Sequence, residues 1–356
     1  MPSLLVTITL LFGGTTPRSE DYVSLRQAGL AEYQMGHYVR AEELIRKALD
    51  LAEATNNEYE VALSYSALGD IEQANRQFSD AERDYRKAIS LLNHHREHSR
   101  PLATALRNLA AVLTVEARYG EALAALKEAS QLVAKNKVED PYLNAQILNS
   151  LGVVYYHQRK MTKAERSLLR AAEVQFPPSN LLDPWEIMNN LGLVYQIKRQ
   201  YTKAEDAYKR SLQLAEFRRG SSDPGLTIVL NNLGSLYAGT GRYREGDAQF
   251  QRSLAILDHS GTSFDAIFMM RALYGLGRTY LRENDPIRAR GVLARAADIA
   301  RGRVLGVEMP EVLGVLDTYA KVLKDLSNDV EAQHLQMEAQ RIRASLAYTV
   351  PVGNAK

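Results

Sequence analysis

The sequence predicts an all-α solenoid built from eight helix-turn-helix hairpins, and three observations carry that prediction. Residues 189–212 read NNLGLVYQIKRQYTKAEDAYKRSL and residues 231–254 read NNLGSLYAGTGRYREGDAQFQRSL, nine of 24 positions being identical at a separation of 42. The small residue of that opening recurs along the chain as Gly29, Gly69, Ala110, Gly152, Gly192, Gly234, Gly277 and Ala320, at spacings of 40, 41, 42, 40, 42, 43 and 43. Twelve residues after each marker stands another small residue (Ala41, Ala81, Ala122, Ala164, Ala204, Gly246, Ala289, Ala332). Seven further on stands a third (Ala48, Ala88, Ala129, Ala171, Ser211, Ser253, Ala296, Ala339). Self-similarity at a period of a few tens of residues marks a repeat architecture.

Each unit contains two runs with apolar residues at three- and four-residue intervals, the pattern of an amphipathic helix. Leu191, Val194 and Tyr195 share a face of a first helix, and Tyr208, Leu212 and Ala215 share a face of a second. The small marker lets the two helices approach closely, where a larger side chain would overpack the contact by about 1–3 kcal/mol. Alone, neither face can be buried within one hairpin, so stacking of neighbours completes the core.

Taken in order, the chain opens with MPSLLVTITLLFGGTTP, whose apolar run at residues 4–12 has signal-peptide length and is too short to span a bilayer. Its n-region has no Lys or Arg, so export and a cytoplasmic location both stay open. Residues 1–19 are read as this apolar segment, 20–347 as the array and 348–356 as a tail. Nine residues after the first six markers comes a large residue: Tyr38, Phe78, Tyr119, Met161, Tyr201 and Tyr243. Turns such as Met35-Gly36-His37 and Thr240-Gly241-Arg242 separate first from second helices. Asp140-Pro141, Asp183-Pro184 and Asp223-Pro224 precede first helices, with Pro101 and Pro310 in equivalent places. Asp accepts from the free amides of a helix start, and Pro suits its first position. In repeats seven and eight Pro286 and Asp329 replace the large residue, and the helix through Gln340 closes the C-terminal end. Atypical outer repeats are expected of caps.

Leu-Gly-x-x-Tyr, followed by an aromatic with an Ala, then Tyr or Phe with another Ala, resembles the tetratricopeptide repeat. The 42-residue period, the Asn-Asn-Leu-Gly opening and the Asp-Pro helix starts are similar to the longer variety found in kinesin light chain. The resemblance covers residues 20–347. It implies a right-handed α-α superhelix whose first helices line a groove that holds an extended peptide or a partner's helix.

Composition sets limits on chemistry. The chain has 46% hydrophobic and 24% charged residues and a formal net charge of +2, which gives no global argument for nucleic acid or a polybasic membrane contact. The absence of cysteine removes disulfides, thiolate metal sites and a Cys nucleophile together. His94-His95-Arg96-Glu97-His98 matches H-x-x-E-H, but it falls where a second helix ends, a place that suits His through the helix dipole and offers no cleft. No phosphate loop or nucleophile elbow occurs, and Gly275-Leu276-Gly277 sits inside a helix as a packing feature. Tyr155, Tyr195, Tyr237 and Tyr280 fall at core positions of first helices. No catalytic residue, metal site or cofactor is implied.

What remains is a surface. The groove positions that the resemblance implies fall three and two residues before the markers, at Arg107-Asn108, Asn149-Ser150, Asn189-Asn190 and Asn231-Asn232. Asn both donates and accepts, so a ladder of Asn108, Asn149, Asn189, Asn190, Asn231 and Asn232 can hold a peptide backbone without reading much sequence. The alternative is that one Asn of each pair bonds within or between repeats. Arg271, Arg278 and Arg282 lie on one face of the first helix of repeat seven, and residues 271–303 hold eight Arg against Glu283, Asp285 and Asp298. Such a guanidinium row suits an acidic peptide. The expectation is therefore a non-catalytic scaffold that binds a protein or peptide of acidic character. A peptide-sensing regulator, a metal-dependent hydrolase at His94–His98 and self-association through the outer repeats are the alternatives.

Overall fold

The computed structural model describes residues 19–93, 98–135, 140–174, 184–258, 265–302 and 309–349. Residues 1–18, residues 94–97 of the histidine motif, Asp183, Arg303 and residues 350–356 lie outside them. Among the described residues sixteen helices follow one another in consecutive pairs, with no strand. The pairs are α1 (Ser19–Gln34) with α2 (Tyr38–Ala54), α3 (Glu58–Ala74) with α4 (Phe78–Leu92), α5 (Ser99–Val115) with α6 (Tyr119–Lys135) and α7 (Pro141–His157) with α8 (Met161–Ala172). Then come α9 (Trp185–Ile197) with α10 (Tyr201–Arg219), α11 (Leu226–Gly239) with α12 (Tyr243–Leu257), α13 (Asp265–Arg282) with α14 (Pro286–Arg301), and α15 (Met309–Asp325) with α16 (Asp329–Thr349). The chain divides into two compact units after Leu143. The helix expected to close the C-terminal end is the continuation of α16, which runs for 21 residues.

Six of the hairpins are locked by a knob and a hole. Sixteen residues after a marker glycine stands a large side chain that packs against it: Ile45 on Gly29, Tyr85 on Gly69, Leu168 on Gly152, Tyr208 on Gly192, Phe250 on Gly234 and Leu293 on Gly277. A Cβ at position 192 would lie 2.4 Å from the Tyr208 ring, so no side chain fits there without moving it. Tyr85, Tyr208 and Phe250 are the largest fully buried side chains. Their size follows from the space that the facing glycine leaves, because interiors fill to near-crystalline density.

The turn inside each hairpin has one geometry throughout. Seven residues past the marker the backbone takes positive φ, at Gly36 (79°) and Gly241 (84°) and also at Arg76, Ala117, Arg159, Arg199, Asn284 and Ser327 (59–64°). Backbone bonds such as Gln77 N–H to Glu72 O (2.8 Å) and Lys160 N–H to Tyr155 O (2.9 Å) close the first helix over this left-handed residue. Helix starts follow the Asp-Pro rule with one variation. Asp140 Oδ1 accepts from Leu143 N–H (2.9 Å) to open α7, and Asp285 Oδ1 accepts from Arg288 N–H (2.9 Å) to open α14 at Pro286. Asp223 instead accepts from Gly225 N–H (2.8 Å), an Asx turn that precedes α11.

Inter-repeat ion pairs edge the hairpin turns. In the first unit Arg118 bridges Glu82 (2.6 Å) of the preceding repeat with Glu116 (2.9 Å) and Glu121 (2.8 Å) of its own. In the second, Arg242 bridges Glu205 (2.5 Å) and Glu245 (2.5 Å), and Lys198 pairs with Glu165. The tyrosines read as core behave unevenly. Tyr237 and Tyr280 are buried, whereas Tyr155 and Tyr195 are half-buried. All four lie under a cation: Lys163, Lys203, Arg242 and Arg288 stand 4.2–5.7 Å from the ring centres.

Candidate functional site

In the second unit, first helices α7, α9, α11, α13 and α15 line one groove containing a pocket of about 600 Å³. The marker glycines hold their side of each first helix against its own second helix, which leaves the residues just before the marker free to face the groove. Val153, Leu193, Ile228, Met270 and Val315 supply its apolar surface. The polar groups come from Asn189, Asn190, Asn231, Asn232, Ser235, Arg271, Arg278 and Glu311, with Tyr156 and His157 of α7 and Tyr274 of α13 also in the lining.

The asparagines are interlocked across repeats. Asn190 Nδ2 donates to Asn149 Oδ1 at 2.9 Å, and Asn232 Nδ2 donates to Asn189 Oδ1 at 2.8 Å. Each pair fixes the side-chain orientation and leaves one amide N–H₂ and one carbonyl oxygen with capacity for a further bond. Asn231 is buried, donates to the backbone oxygen of Phe268 (3.2 Å) and holds its Oδ1 buried without a donor among the described residues. A ligand N–H reaching that oxygen would satisfy a group whose desolvation is otherwise uncompensated. Asn108 belongs to the first unit, where it donates to Asp70 at 2.7 Å.

The three arginines of α13 have three different surroundings. Arg271 pairs with Glu311 of α15 at 2.8 Å and lies over the Phe268 ring. Arg282 donates to the Ala238 carbonyl at 2.9 Å, tying α13 to the carboxyl end of α11. Arg278 lies over the Tyr274 ring, 5.6 Å from its centre, and forms no ion pair among the described residues. It is thus a groove cation with no carboxylate partner among the described residues. Burial pushes Tyr156 above the usual phenol range and His157 below the usual imidazole range, so that end of the groove is neutral near pH 7.

Of the residues read from sequence, Asn189, Asn190, Asn231, Asn232, Arg271 and Arg278 line the pocket. Asn149 touches it through Asn190. Sequence reading missed Tyr274 and Glu311. Tyr274 stands three residues before Gly277, the offset of Asn189 and Asn231, so the repeat register could have found it. Nothing local signals Glu311. Of the histidine motif, His98 alone is described, and its ring stacks on Tyr59 at 3.9 Å. Among the described residues no group of three His, Cys, Asp or Glu side chains is arranged to hold a metal ion, and no helix is long and apolar enough to cross a membrane.

Paired helices, a small marker at each crossing and a first-helix groove define a helical-hairpin repeat scaffold. Residues 61–94, 118–180 and 186–259 each match a family model described as tetratricopeptide repeat. Over these segments the chain carries tetratricopeptide repeats, and its marker residues recur every 40–43 positions. Among solved structures it is similar to BtubC (BKLC) from P. vanneervenii, at 25% identity and a TM-score of 0.54 over 64% of this chain and 91% of that one. It also shares its fold with the Rap conjugation gene regulator of plasmid pLS20 in complex with the Phr* peptide (15% identity, TM-score 0.61, 83% and 80% covered). A Rap protein complexed with Competence and Sporulation Factor matches likewise (14%, 0.59, 93% and 99%). A comparison with curated proteins returns no match. The repeat family supports a protein-interaction scaffold.

Proposed function

We propose that this protein captures an extended peptide segment of a partner protein in the groove of the second unit and does so without catalysis. The observation that carries the reading is the amide ladder. Asn149–Asn190 and Asn189–Asn232 hold donors and acceptors on successive first helices, and buried Asn231 Oδ1 is without a donor among the described residues. Such a set matches the alternating N–H and C=O groups of a peptide backbone, while the apolar surface between them takes side chains. The Rap conjugation gene regulator holds the Phr* peptide on this same fold, which agrees with the reading.

Arg278 gives the groove its preference for an acidic residue, and Arg271 acts there as half of an ion pair with Glu311. The test is selection from a random peptide library on immobilised full-length protein. Acidic residues should be enriched at one position on the wild type and on Arg271→Ala, and the enrichment should vanish on Arg278→Ala. Equal enrichment on all three proteins removes Arg278 from recognition. No enrichment of any peptide removes the groove itself.

A further inference from the structure

On the first-helix face of the first unit, Arg26 and Arg107 stand at the offset that Asn149, Asn189 and Asn231 occupy in the second. Asp70 of α3 follows Gly69, and its Oδ1 accepts from Tyr85 Oη of α4 and from Asn108 Nδ2 of α5, each at 2.7 Å. Tyr85 Oη also lies 3.1 Å from Gln73 Oε1. Arg26 of α1 and Arg107 of α5 both act electrostatically on the Asp70 carboxylate. Each stands three residues before its repeat's marker. Neither guanidinium donates a hydrogen bond among the described residues, and the Nε of both is buried with no acceptor.

This arrangement is costly for a resting protein. A buried donor without a partner forfeits its hydration with nothing in return, and the loss is greater when it is charged. Two guanidiniums face one carboxylate whose Oδ1 is already committed to two neutral donors, so the cluster carries excess positive charge and unfilled N–H groups. Features that spend stability without a structural return mark functional positions. Planar guanidinium forks match carboxylate and phosphate oxygens.

We propose that Arg26 and Arg107 form an oxyanion site in the first unit, gated by Asp70, which must take up a proton before an anion can enter beside it. An oxyanion next to a charged carboxylate meets like-charge repulsion, so binding and protonation are linked. Burial already holds the Asp70 carboxyl above its usual range, against the opposing hydrogen bonds and guanidiniums. The other groups facing it keep one charge state under mildly acidic conditions. Tyr33 of α1 is pushed up to about 12 and Tyr85 well above the usual phenol range, both by burial first. From α2, Ile45 and Leu49 present apolar surface to α3. Asp70 is therefore the group of this cluster that titrates in acid. The site rests on different residues from the proposed peptide groove and stands or falls separately.

Sulfate is the probe, because it keeps its charge across the range and any pH dependence then belongs to the protein. The readout on the full-length chain is the rise in melting temperature caused by sulfate over chloride at equal ionic strength. In the wild type the rise should be larger at about pH 5.5 than at about pH 7.5, with affinity tightening by at most about tenfold per pH unit, the limit for one coupled proton. Asp70→Asn should show the larger rise at both pH values. Arg26→Met and Arg107→Met should each lose it at both, without a lower melting temperature in chloride. The general salting effect of sulfate is common to all variants, so only differences between them count. Acetate on Asp70→Asn names the source: a larger rise than sulfate assigns a carboxylate, a smaller one a phosphate ester. A sulfate effect that ignores pH in the wild type, or one that survives both Arg substitutions, overturns the site. Should either Arg variant fail to fold, that Arg is structural and the proposal fails for it, while Asp70→Asn still tests the gate.

Discussion

Three residues before the marker, the first unit has Arg26, Ser66 and Arg107, whereas the second has Asn149, Asn189, Asn231, Tyr274 and Asp317. One residue after it, Asp70 in the first unit answers to Arg278 in the second. The knob-and-hole lock and the left-handed turn are the same in both units. The helix face that meets its own hairpin is thus fixed by packing, and the face turned to the groove is free to vary in charge. The two first-helix faces differ in chemistry although Asp70, one residue past its marker, also accepts from the buried Tyr85.

The largest effect should come from removing a knob. Tyr208→Ala and Tyr85→Ala each empty a fully buried site, and each should cost about 3–5 kcal/mol in chemical denaturation. If the shared lock matters more than local polar bonds, the two losses agree within about 1 kcal/mol. A much larger loss for Tyr85→Ala would assign extra weight to its bond with Asp70.

Stability should respond to pH with opposite sign in the two units. Hydrogen bonds from Arg242, joined by Lys209 and Tyr237, hold Glu205 down at about 2. The stability this gives is present above the ordinary carboxylate range and is lost as pH falls toward 2, on the order of 2–3 kcal/mol. Burial, reinforced by Asp84, raises Glu72 to about 7. Its contribution is full below the ordinary carboxylate range and is lost as pH rises through 7, on the order of 2 kcal/mol. Glu72→Gln should therefore raise the melting temperature at about pH 8 and flatten its slope, while Glu205→Gln should lower it at that pH. The same sign for both variants at that pH would contradict the contrast.

A smaller change is expected in the amide ladder. Asn190→Ala with Asn232→Ala removes both cross-repeat bonds, and should weaken a selected peptide by about five- to thirtyfold, or 1–2 kcal/mol. Isothermal titration gives the affinity, and the melting temperature should drop by only a few degrees. Loss of stability equal to the loss of affinity would make the ladder structural. Least of all, Ala117→Gly should stabilise the first unit by up to about 1 kcal/mol, because Ala117 holds φ at 60° where glycine fits without strain.

Most of the fold could be read in the chain because packing imposes the same small residues at fixed offsets from Gly29 to Ala320. Two regularities escaped that reading. The knob sixteen residues on varies among Ile45, Tyr85, Leu168, Phe250 and Leu293, so only its burial repeats. The left-handed turn is visible as glycine at Gly36 and Gly241, whereas Arg76, Ala117, Arg159 and Arg199 adopt it with no residue signal. For the groove, residue type pointed to Asn189, Asn231 and Arg278 because mid-helix amides and charge rows stand out. The pairing of Arg271 with Glu311, and of Arg282 with the Ala238 carbonyl, spans about one repeat and depends on how helices stack. No local charge run contains that information.

The knob and its hole belong to one hairpin, sixteen residues apart, and this bears on how the chain reaches its native state. Closing so short a loop loses little entropy, so contact order is low and each hairpin can form before distant segments have met. Folding can begin at any repeat and spread to its neighbours, and a chain emerging from the ribosome can start before its C-terminal helices exist.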